Sequence, residues 1–291
     1  GFGRTRILGK RSTIEGMPTI QTEGLLGGVL YYDGQFDDAR LLINLVQTAV
    51  DHGATAVNYC RAAALQHTAQ GLIESVDLVD ELTEETLRVP AKVVINATGP
   101  FADGVRRMDE AEASPMIAPS QGVHIVLPRS FLPKQAAIMV PHTSDGRVMF
   151  AIPWLDRVVV GTTDTPIDAV PLEPTPLDEE VAFILDTAAH YLARPLVRED
   201  VLSVFTGIRP LVKAGDVGNT ATLSRDHTIH IARSGLITIA GGKWTTYRKM
   251  AEDCVDQAAM VGELPERDCR TIDLPIHGAA DGSTHTGPLA S

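Results

Sequence analysis

The sequence predicts a mixed fold, in which a helix-flanked α/β part is combined with an α+β part built on antiparallel strands. The apolar run at 92–97 is continuous and ends in Thr98 and Gly99, which is typical of a strand buried on both faces of a sheet. A second apolar run, 235–240, leads through two glycines into a helical segment. Between them, residues 119–165 carry short β-like runs separated by Pro and Gly, which indicates antiparallel strands.

The length and composition describe an ordinary globular protein. With 291 residues, 44% of them hydrophobic and 21% charged, the chain can form one large domain or two intertwined ones. The net charge of −12 argues against a nucleic-acid partner, so an anionic substrate would need locally placed arginines. No apolar run approaches the roughly 20 residues that span a bilayer.

The cysteines and histidines show no metal-ligand spacing. Cys60, Cys254 and Cys269 are scattered, which is typical of buried or incidental thiols in a reducing compartment. The nine histidines form no paired pattern. We therefore predict no metal site.

The first helix that the sequence predicts ends at Asp51. Asp37 and Asp38 provide the acidic start that favours a helix N-terminus. Apolar residues then recur at helical spacing, and Gly53 stands at the position where a C-terminal cap is expected.

The remaining elements follow from the same patterns. Strands are predicted at 28–32, 54–59, 72–78, 86–89, 123–127, 136–140, 148–152, 158–161, 201–205 and 229–231, and helices at 177–192 and 245–260. Beyond residue 264 the chain is rich in Gly, Pro, Ser and Thr, and we expect it to fray.

The segment 241–248 (GGKWTTYR) is the most informative motif. Two glycines allow a tight turn and a close approach to a ligand. The N–H groups of the following helix start favour an anion or an electron-rich ring, and Lys243 adds a full positive charge. The alternative is a plain connection between a strand and a helix.

Two further positions suggest ligand chemistry. Gly99 follows a buried strand, and α/β folds bind dinucleotides at such strand ends; an ordinary strand end is the alternative. His124 alternates with Val123 and Ile125, which face the other side of a strand. An imidazole is a natural proton acceptor, but it can equally be a half-buried histidine bonded to a backbone carbonyl.

Two arginines are candidates for binding an anion. Arg209 precedes Pro210, and we expect a rigid turn after a strand to hold its guanidinium, which can fork onto a phosphate or a carboxylate. Arg225 begins another strand, where Asp226 could simply pair with it. If these arginines converge with Lys243, they form a site for a dianionic substrate.

Several motifs in one order resemble the FAD-dependent glycerol-3-phosphate dehydrogenases. The resemblance covers roughly residues 28–262 and rests on 31–35 (YYDGQ), 37–41 (DDARL), 95–100 (INATGP), 120–126 (SQGVHIV), 152–154 (IPW), 161–164 (GTTD), 207–211 (GIRPL), 224–226 (SRD) and 241–248 (GGKWTTYR).

The resemblance implies oxidation of sn-glycerol 3-phosphate to dihydroxyacetone phosphate. A hydride would pass from C2 to N5 of FAD, and the electrons would go to a quinone. It also implies a homo-oligomer that meets a membrane peripherally, with a cytoplasmic location on the inner face of the cytoplasmic membrane. The alternatives are a glycerol-3-phosphate oxidase that uses O₂ and a non-catalytic remnant or binding module.

Site residues follow from the matched positions. The resemblance implies that His124 is the base for the C2 hydroxyl proton, and that Arg209 and Arg225 hold the substrate, chiefly its phosphate. Lys243 would lie beside flavin and substrate and stabilise the alkoxide or the anionic reduced flavin. The implied cofactor contacts are Ala62, Thr98, Gly99, Gly241, Gly242, Lys243, Trp244, Thr245 and Thr246, with Thr245 and Thr246 acting through their backbone N–H groups.

The chain departs from this family in one respect: no GxGxxG motif follows a strand near its start. We therefore expect an interior fragment that lacks this unit and the C-terminal helical domain, is inactive alone, and binds FAD weakly or not at all. The predicted domains are an incomplete FAD-binding domain of the Rossmann-like, glutathione-reductase type (36–118 and 222–262), a substrate domain (1–35 and 119–221) and a tail (263–291).

Overall fold

The computed structural model describes residues 3–141, 143, 146–213 and 226–279. Within them the chain divides into two compact units, each formed by two separate stretches. The first unit comprises Gly1–Asp33 and Pro115–Ser224, and the second comprises Gly34–Ser114 and Arg225–Ser291. This division does not show what each unit binds. The FAD-binding and substrate-binding roles of the two domains therefore remain predictions.

The described residues form the following strands and α-helices. The strands are β1 (Arg6–Gly9), β2 (Gly27–Leu30), β3 (Cys60–His67), β4 (Ile73–Asp80), β5 (Thr86–Pro90), β6 (Ile95–Asn96), β7 (Ile117–Pro128), β8 (Ile138–Val140), β9 (Met149–Trp154), β10 (Arg157–Gly161), β11 (Thr165–Pro166), β12 (Ser203–Val212), β13 (His227–Ile231) and β14 (Ile237–Gly241). The helices are α1 (Lys10–Gly16), α2 (Asp38–Asp51), α3 (Ala102–Asp109), α4 (Asp178–Ala189) and α5 (Tyr247–Val261).

The first unit is built on an antiparallel sheet centred on β7. One edge of β7 pairs with β10 and β11, and the other pairs with β12 along ten residues. Beyond β10 follow β9 and β8. Val123, Ile125 and Leu127 of β7 are fully buried, together with Ile184 of α4, which packs against this face. Because side chains alternate along a strand, His124 lies on the opposite face.

The second unit contains two small sheets. Strand β14 pairs antiparallel with β13 and parallel with β6, while β3, β4 and β5 form an antiparallel meander. Helix α5 packs on β14 through Cys254 and Ala258, which meet the buried Ile237. Burial raises the pKa of the Cys254 thiol. None of the helices within the described ranges has the length and hydropathy that a membrane crossing requires.

Many predicted elements are confirmed by the structure. Helix α2 begins where Asp37 accepts a hydrogen bond from the backbone N–H of Arg40, and Gly53 adopts φ = 90° just after the helix. The predicted hairpin at 72–78 and 86–89 is formed by β4 and β5. The antiparallel strands predicted within 119–165 are also present.

Three predictions about the elements were wrong. Residues 54–59 form no strand; β3 starts at Cys60, because Tyr59 adopts a left-handed φ of 53° that interrupts an extended chain. The run 92–97 is a strand only at Ile95–Asn96, where it pairs with β14. Arg209 does not follow a strand: it lies inside β12, which continues through Pro210.

Candidate active site

The exposed face of the first unit's sheet carries an imidazole held by an aromatic ring. His124 on β7 and Phe205 on β12 are cross-strand neighbours. Their rings stack with centroids 5.0 Å apart and an angle of 5° between the planes. On the other side, Gly161 of β10 is paired with His124, and a Cβ atom there would lie 2.3 Å from Cδ2 of the imidazole. The ring therefore occupies space that only a glycine leaves free.

Two glycines form the surface next to His124. Gly122 and Gly207 are opposite each other in the pairing of β7 with β12. A Cβ atom at Gly207 would have no heavy atom within 4 Å, so the space above it is open. We call this pair, Gly122 and Gly207, the glycine floor.

Arg209 extends over Gly122 and leaves the space above Gly207 open. Its Nη2 donates to Oγ1 of Thr162 over 3.0 Å, and its Nη1 lies 3.3 Å from Oδ1 of Asp164 and 3.4 Å from the carbonyl oxygen of Gln121. A Cβ atom at Gly122 would lie 2.4 Å from Nη2. The side chain is 34% exposed, so the guanidinium is oriented by the protein while part of it stays accessible.

Asp164 is the counter-charge of this arginine. Besides Arg209 it pairs with Arg147, whose Nη1 lies 2.5 Å from Oδ2, and it accepts the hydroxyl hydrogen of Ser120. The carboxylate is only 16% exposed. Two guanidinium groups thus contact one carboxylate, and a guanidinium is well suited to binding an anion such as phosphate.

The imidazole and the guanidinium are close neighbours on one face. Gly122 lies two residues before His124, so the two positions are about 6.8 Å apart along the strand. The guanidinium of Arg209 lies over the first position and the imidazole over the second. This face can bind an anion at the guanidinium and accept a proton at the imidazole, over positions two residues apart on β7.

The second unit brings two glycine turns to one edge of its sheet. Because β6 and β14 are parallel neighbours, the segments that follow them lie at the same edge. Gly99 after β6 has φ = 56°, and Gly241 and Gly242 at the end of β14 have φ = 76° and 77°. Each turn leads through a short 3₁₀ segment into a helix, α3 or α5.

The first of these turns is fixed by a buried amide. Asn96 is 2% exposed, and its Nδ2 donates to the carbonyl of Ala102 over 2.9 Å. Its Oδ1 accepts from the hydroxyl of Thr98 over 2.7 Å. The strand end and the start of α3 are thereby held together, with the Thr98 and Gly99 backbone at the sheet edge.

The second turn has features that fit a flavin ring. Lys243 and Thr245 are exposed, and Trp244 has a buried Nε1 atom without a hydrogen-bond partner among the described residues. Left-handed glycines bring bare backbone to the surface, and the start of α5 carries partial positive charge. One detail differs from the expectation: the N–H of Thr246 already donates to the carbonyl of Lys243 over 3.0 Å, within the 3₁₀ turn.

The structure thus brings the predicted site residues together in two groups. His124 and Arg209 share one face in the first unit, whereas Thr98, Gly99, Gly241 and Gly242 share one sheet edge in the second. Lys243, Trp244, Thr245 and Thr246 continue that edge, and Ala62 lies on β3, in another sheet of the same unit. Arg225 and its neighbour Ser224 lie outside the described residues.

The residues that orient the predicted site residues were not predicted from the sequence. Asp164 and Thr162 stood in a recognised motif, 161–164, but no role was assigned to them. A carboxylate three residues after a buried strand was the available signal. Phe205 and Arg147 carry no local signal of this kind, because only strand pairing places Phe205 beside His124 and only the fold brings Arg147 to Asp164.

Comparison with known proteins identifies the family. The model of a family described as FAD dependent oxidoreductase matches residues 1–248. The mitochondrial glycerol-3-phosphate dehydrogenase of Macaca fascicularis is 42% identical over 284 residues, which are 95% of this chain and 39% of that protein. The chain thus spans about two fifths of the length of this curated relative.

Solved structures agree with this match. The glycerol-3-phosphate dehydrogenase of Bacillus halodurans, complexed with FAD, has a TM-score of 0.84 and 35% identity, and the alignment covers 94% of this chain and 53% of that one. The L-alpha-glycerophosphate oxidase of Mycoplasma pneumoniae, solved with FAD bound, shares the fold at a TM-score of 0.61 and 19% identity, over 90% of this chain and 65% of that one.

These findings confirm the predicted fold class and the FAD dependence of the family. The match covers the antiparallel sheet with His124 and Arg209 and ends at Arg248, at the close of the GGKWTTYR segment. The chain belongs to the FAD-dependent oxidoreductase family.

Proposed function

We propose that this chain carries the substrate site and the flavin-ring site of an FAD-dependent glycerol-3-phosphate dehydrogenase. The reaction is oxidation of sn-glycerol 3-phosphate to dihydroxyacetone phosphate. The observation that carries the proposal is the placement of Arg209 and His124 on one sheet face, where the guanidinium lies over Gly122, two residues before His124. The similarity to the dehydrogenases of Macaca fascicularis and Bacillus halodurans supports it.

Arg209 binds the phosphate in this proposal. A guanidinium presents two parallel N–H groups that match the oxygens of a phosphate. Thr162, Asp164 and the carbonyl of Gln121 orient the group, and 34% of the Arg209 side chain is exposed on the face that would meet the ligand. Arg225 is proposed as another phosphate contact, and Lys243 as a substrate contact away from the phosphate, by their match to the family motifs.

The spacing on the sheet favours a short substrate. Only about 6.8 Å of strand separates the positions beneath the guanidinium and the imidazole. A three-carbon chain is short enough for its phosphate to bond to the guanidinium while its C2 hydroxyl bonds to the imidazole, which favours it over a longer sugar phosphate. The open space above Gly207 gives the carbon chain room.

His124 accepts the proton of the C2 hydroxyl. A base must lie within hydrogen-bond reach of the proton that it takes, and the stack with Phe205 holds the imidazole in one orientation on the open face. Loss of the proton gives the oxygen on C2 the alkoxide character that assists departure of the hydride from C2. Lys243, exposed at the end of β14, would stabilise that negative charge.

The second unit is proposed to hold the flavin ring. FAD supplies a hydride acceptor when it is bound. The backbone of Gly241 and Gly242, the N–H of Thr245 and the indole of Trp244 would contact the ring, while Thr98 and Gly99 lie at the neighbouring strand end. Ala62 is proposed as an adenine-side backbone contact, by its match to the family alone.

The wider setting is also part of the proposal. Electrons would pass from the flavin to a quinone, in a homo-oligomer that meets a membrane peripherally. The expected location is the inner face of the cytoplasmic membrane. The Macaca fascicularis relative is named as mitochondrial, which is a statement about that protein.

The test combines binding with turnover. Calorimetry on the chain should show binding of glycerol 3-phosphate, and Arg209→Ala should weaken it. For turnover, the chain is assayed with FAD both alone and joined to the parts of the Bacillus halodurans enzyme that it does not cover. We expect bleaching of the flavin by glycerol 3-phosphate in the joined protein, followed by reduction of a quinone analogue.

Three outcomes would contradict this proposal. Hydrogen peroxide formed in place of reduced quinone would identify an oxidase. Binding of glycerol 3-phosphate without flavin reduction in the joined protein would identify a binding module. A chain that binds no glycerol 3-phosphate would contradict the substrate.

A further inference from the structure

We propose that Glu180 is a positioning residue for the phosphate site, which acts by fixing Asp164 and, through it, the guanidinium of Arg209. The inference rests on the proposed function, because it concerns the same site. Glu180 lies in the first turn of α4 and is 3% exposed, so it touches no ligand itself.

Glu180 is a buried carboxylate that is held by hydrogen bonds alone. Oε1 accepts from the hydroxyls of Thr165 (2.6 Å) and Thr163 (3.1 Å). Oε2 accepts from Nε2 of Gln121 (2.8 Å) and from the backbone N–H of Leu177 (3.0 Å). Within the described residues, no ion pair reaches this carboxylate.

A buried charge of this kind is not explained by packing. Replacing a buried ionic group by a well-packed apolar side chain is often neutral or stabilising, because the charge loses its hydration. Glu180 belongs to the same helix as the core residues Val181 and Ile184, where an apolar side chain would also fit. One of its four bonds, from the N–H of Leu177, caps the start of α4, whereas the other three reach the segments that carry Asp164 and Gln121.

Two of those bonds hold the residues on either side of Asp164. Thr163 and Thr165 both bond to the same oxygen of Glu180, so the segment that carries Asp164 is attached at both ends. The Thr163 hydroxyl also accepts the N–H of Val123 over 2.9 Å, which connects the segment to β7. The Asp164 carboxylate is thereby fixed beside Arg209.

The third bond fixes the strand under the guanidinium. Gln121, which donates to Glu180, also accepts from Nη1 of Arg209 through its carbonyl oxygen. Its neighbours are Ser120, which donates to Asp164, and Gly122, over which the guanidinium lies. Every group that orients Arg209 on this side is within one residue of a bond to Glu180.

The charged state of Glu180 agrees with this role. Burial acts to raise the pKa of its carboxyl group, but the bonds from Thr165, Leu177, Gln121 and Thr163 outweigh it and hold the pKa below the usual value. At neutral pH the group accepts all four hydrogen bonds as a carboxylate.

Two variants separate positioning from folding. Glu180→Ala removes all four bonds, and Thr165→Val removes only one of the two bonds that flank Asp164, so the second remains informative if the first does not fold. Glu180→Gln is the conservative variant, since threonine hydroxyls and a glutamine amide can exchange donor and acceptor roles. Ile184→Val, on the same helix and fully buried, is the control for lost packing.

Calorimetric affinity for glycerol 3-phosphate is the first measurement. We expect Glu180→Ala to raise Kd about tenfold and Thr165→Val about threefold, whereas Glu180→Gln recovers most of the affinity. In an Arg209→Ala background, Glu180→Ala should cost no further affinity, because it acts through Arg209. Ile184→Val should lower the melting temperature and leave Kd unchanged.

The second measurement needs no ligand. The Nε–Hε signal of Arg209 in the ¹⁵N NMR spectrum, assigned with Arg209→Lys, should shift or broaden in Glu180→Ala and Thr165→Val and not in Ile184→Val. An unchanged signal in folded Glu180→Ala or Thr165→Val would overturn the inference. So would an equal loss of affinity from Glu180→Ala with and without Arg209.

Failure of the proposed function would look different. A chain that binds no glycerol 3-phosphate, or whose affinity is insensitive to Arg209→Ala, would contradict the substrate assignment. The NMR signal would still report whether Glu180 positions Arg209. The inference, but not the proposed function, would be overturned by a different result. In that case Arg209→Ala abolishes binding, whereas Glu180→Ala and Thr165→Val change neither Kd nor the NMR signal.

Discussion

The guanidinium of Arg209 takes the place that a side chain at Gly122 would occupy. A Cβ atom at Gly122 would lie 2.4 and 2.5 Å from the two terminal nitrogens of Arg209, well inside contact distance. Arg209 comes from β12 and Gly122 from β7, so the relationship depends on the pairing of these strands. The direction of the guanidinium is therefore set by a missing side chain as well as by its hydrogen bonds.

Gly122→Ala should displace Arg209 from the phosphate site. The added methyl group forces the guanidinium away from Thr162 and Asp164, and a charged hydrogen bond contributes about 1.5–3 kcal/mol. We expect Kd for glycerol 3-phosphate to rise about tenfold or more in calorimetry. Gly104→Ala, in α3 with nothing within 4 Å of the new methyl group, is the matched control and should leave Kd unchanged. Unaltered affinity in Gly122→Ala would remove Arg209 from the site.

His124→Ala should slow turnover more than it weakens binding. General base catalysis typically contributes about 100-fold to 10,000-fold, so kcat should fall by at least the lower figure while KM changes little. Steady-state kinetics on the flavin-loaded joined protein would measure both. The control is His230→Ala, which removes an exposed histidine from β13. If His124→Ala lowers only the melting temperature, the histidine has a structural role.

Gly242→Ala should impair the flavin turn. Gly242 has φ = 77°, and its new methyl group would lie 2.5 Å from the sulfur of Met250. A left-handed conformation costs a non-glycine residue about 1–2 kcal/mol. Gly53→Ala carries the same backbone strain at φ = 90°, with nothing within 4 Å, at the end of α2. Both variants should have a lower melting temperature, but only Gly242→Ala should weaken FAD binding, measured by flavin fluorescence in the joined protein. Equal FAD affinity in the two variants would contradict the assignment of Gly242 to the flavin site.

The stabilising effect of Glu180 should depend on pH. The folded protein holds the pKa of Glu180 below its usual value, so folding favours the ionised form. This stability is fully present above the unfolded pKa of about 4.3 and is lost as the pH falls through the lower folded pKa. In urea unfolding, the free energy of unfolding of wild type should exceed that of Glu180→Gln at pH 5. The difference should shrink as the pH is lowered below 4. A difference that stays constant with pH would mean that ionisation does not contribute.

Local patterns predicted much of the fold. Helix α2, the β4–β5 hairpin and the alternation that places Val123 and Ile125 opposite His124 each depend on neighbours in the sequence, and each is confirmed. The strand at 54–59 failed because one residue, Tyr59, adopts a left-handed conformation that apolar composition does not reveal. Arg209 was expected in a turn because Pro210 follows it, but proline is tolerated where a strand needs no N–H donor.

The site was less predictable than the fold. His124, Arg209 and the GGKWTTYR segment stand out by residue type and by resemblance. Glu180 could not be found in this way, because its bonds join residues 59, 17 and 15 positions away and three of its four partners are ordinary polar residues. Such roles arise only when the chain folds back on itself.

The glycine floor also limits how the specificity of this face can change. Gly122 and Gly207 already have the smallest side chain that the genetic code offers, so no replacement there can enlarge the space above them. Any single mutation at either position only fills the site. A substitution in the floor can therefore only reduce the space on this face, and a bulkier ligand than the proposed substrate would need changes at other residues, such as Phe205.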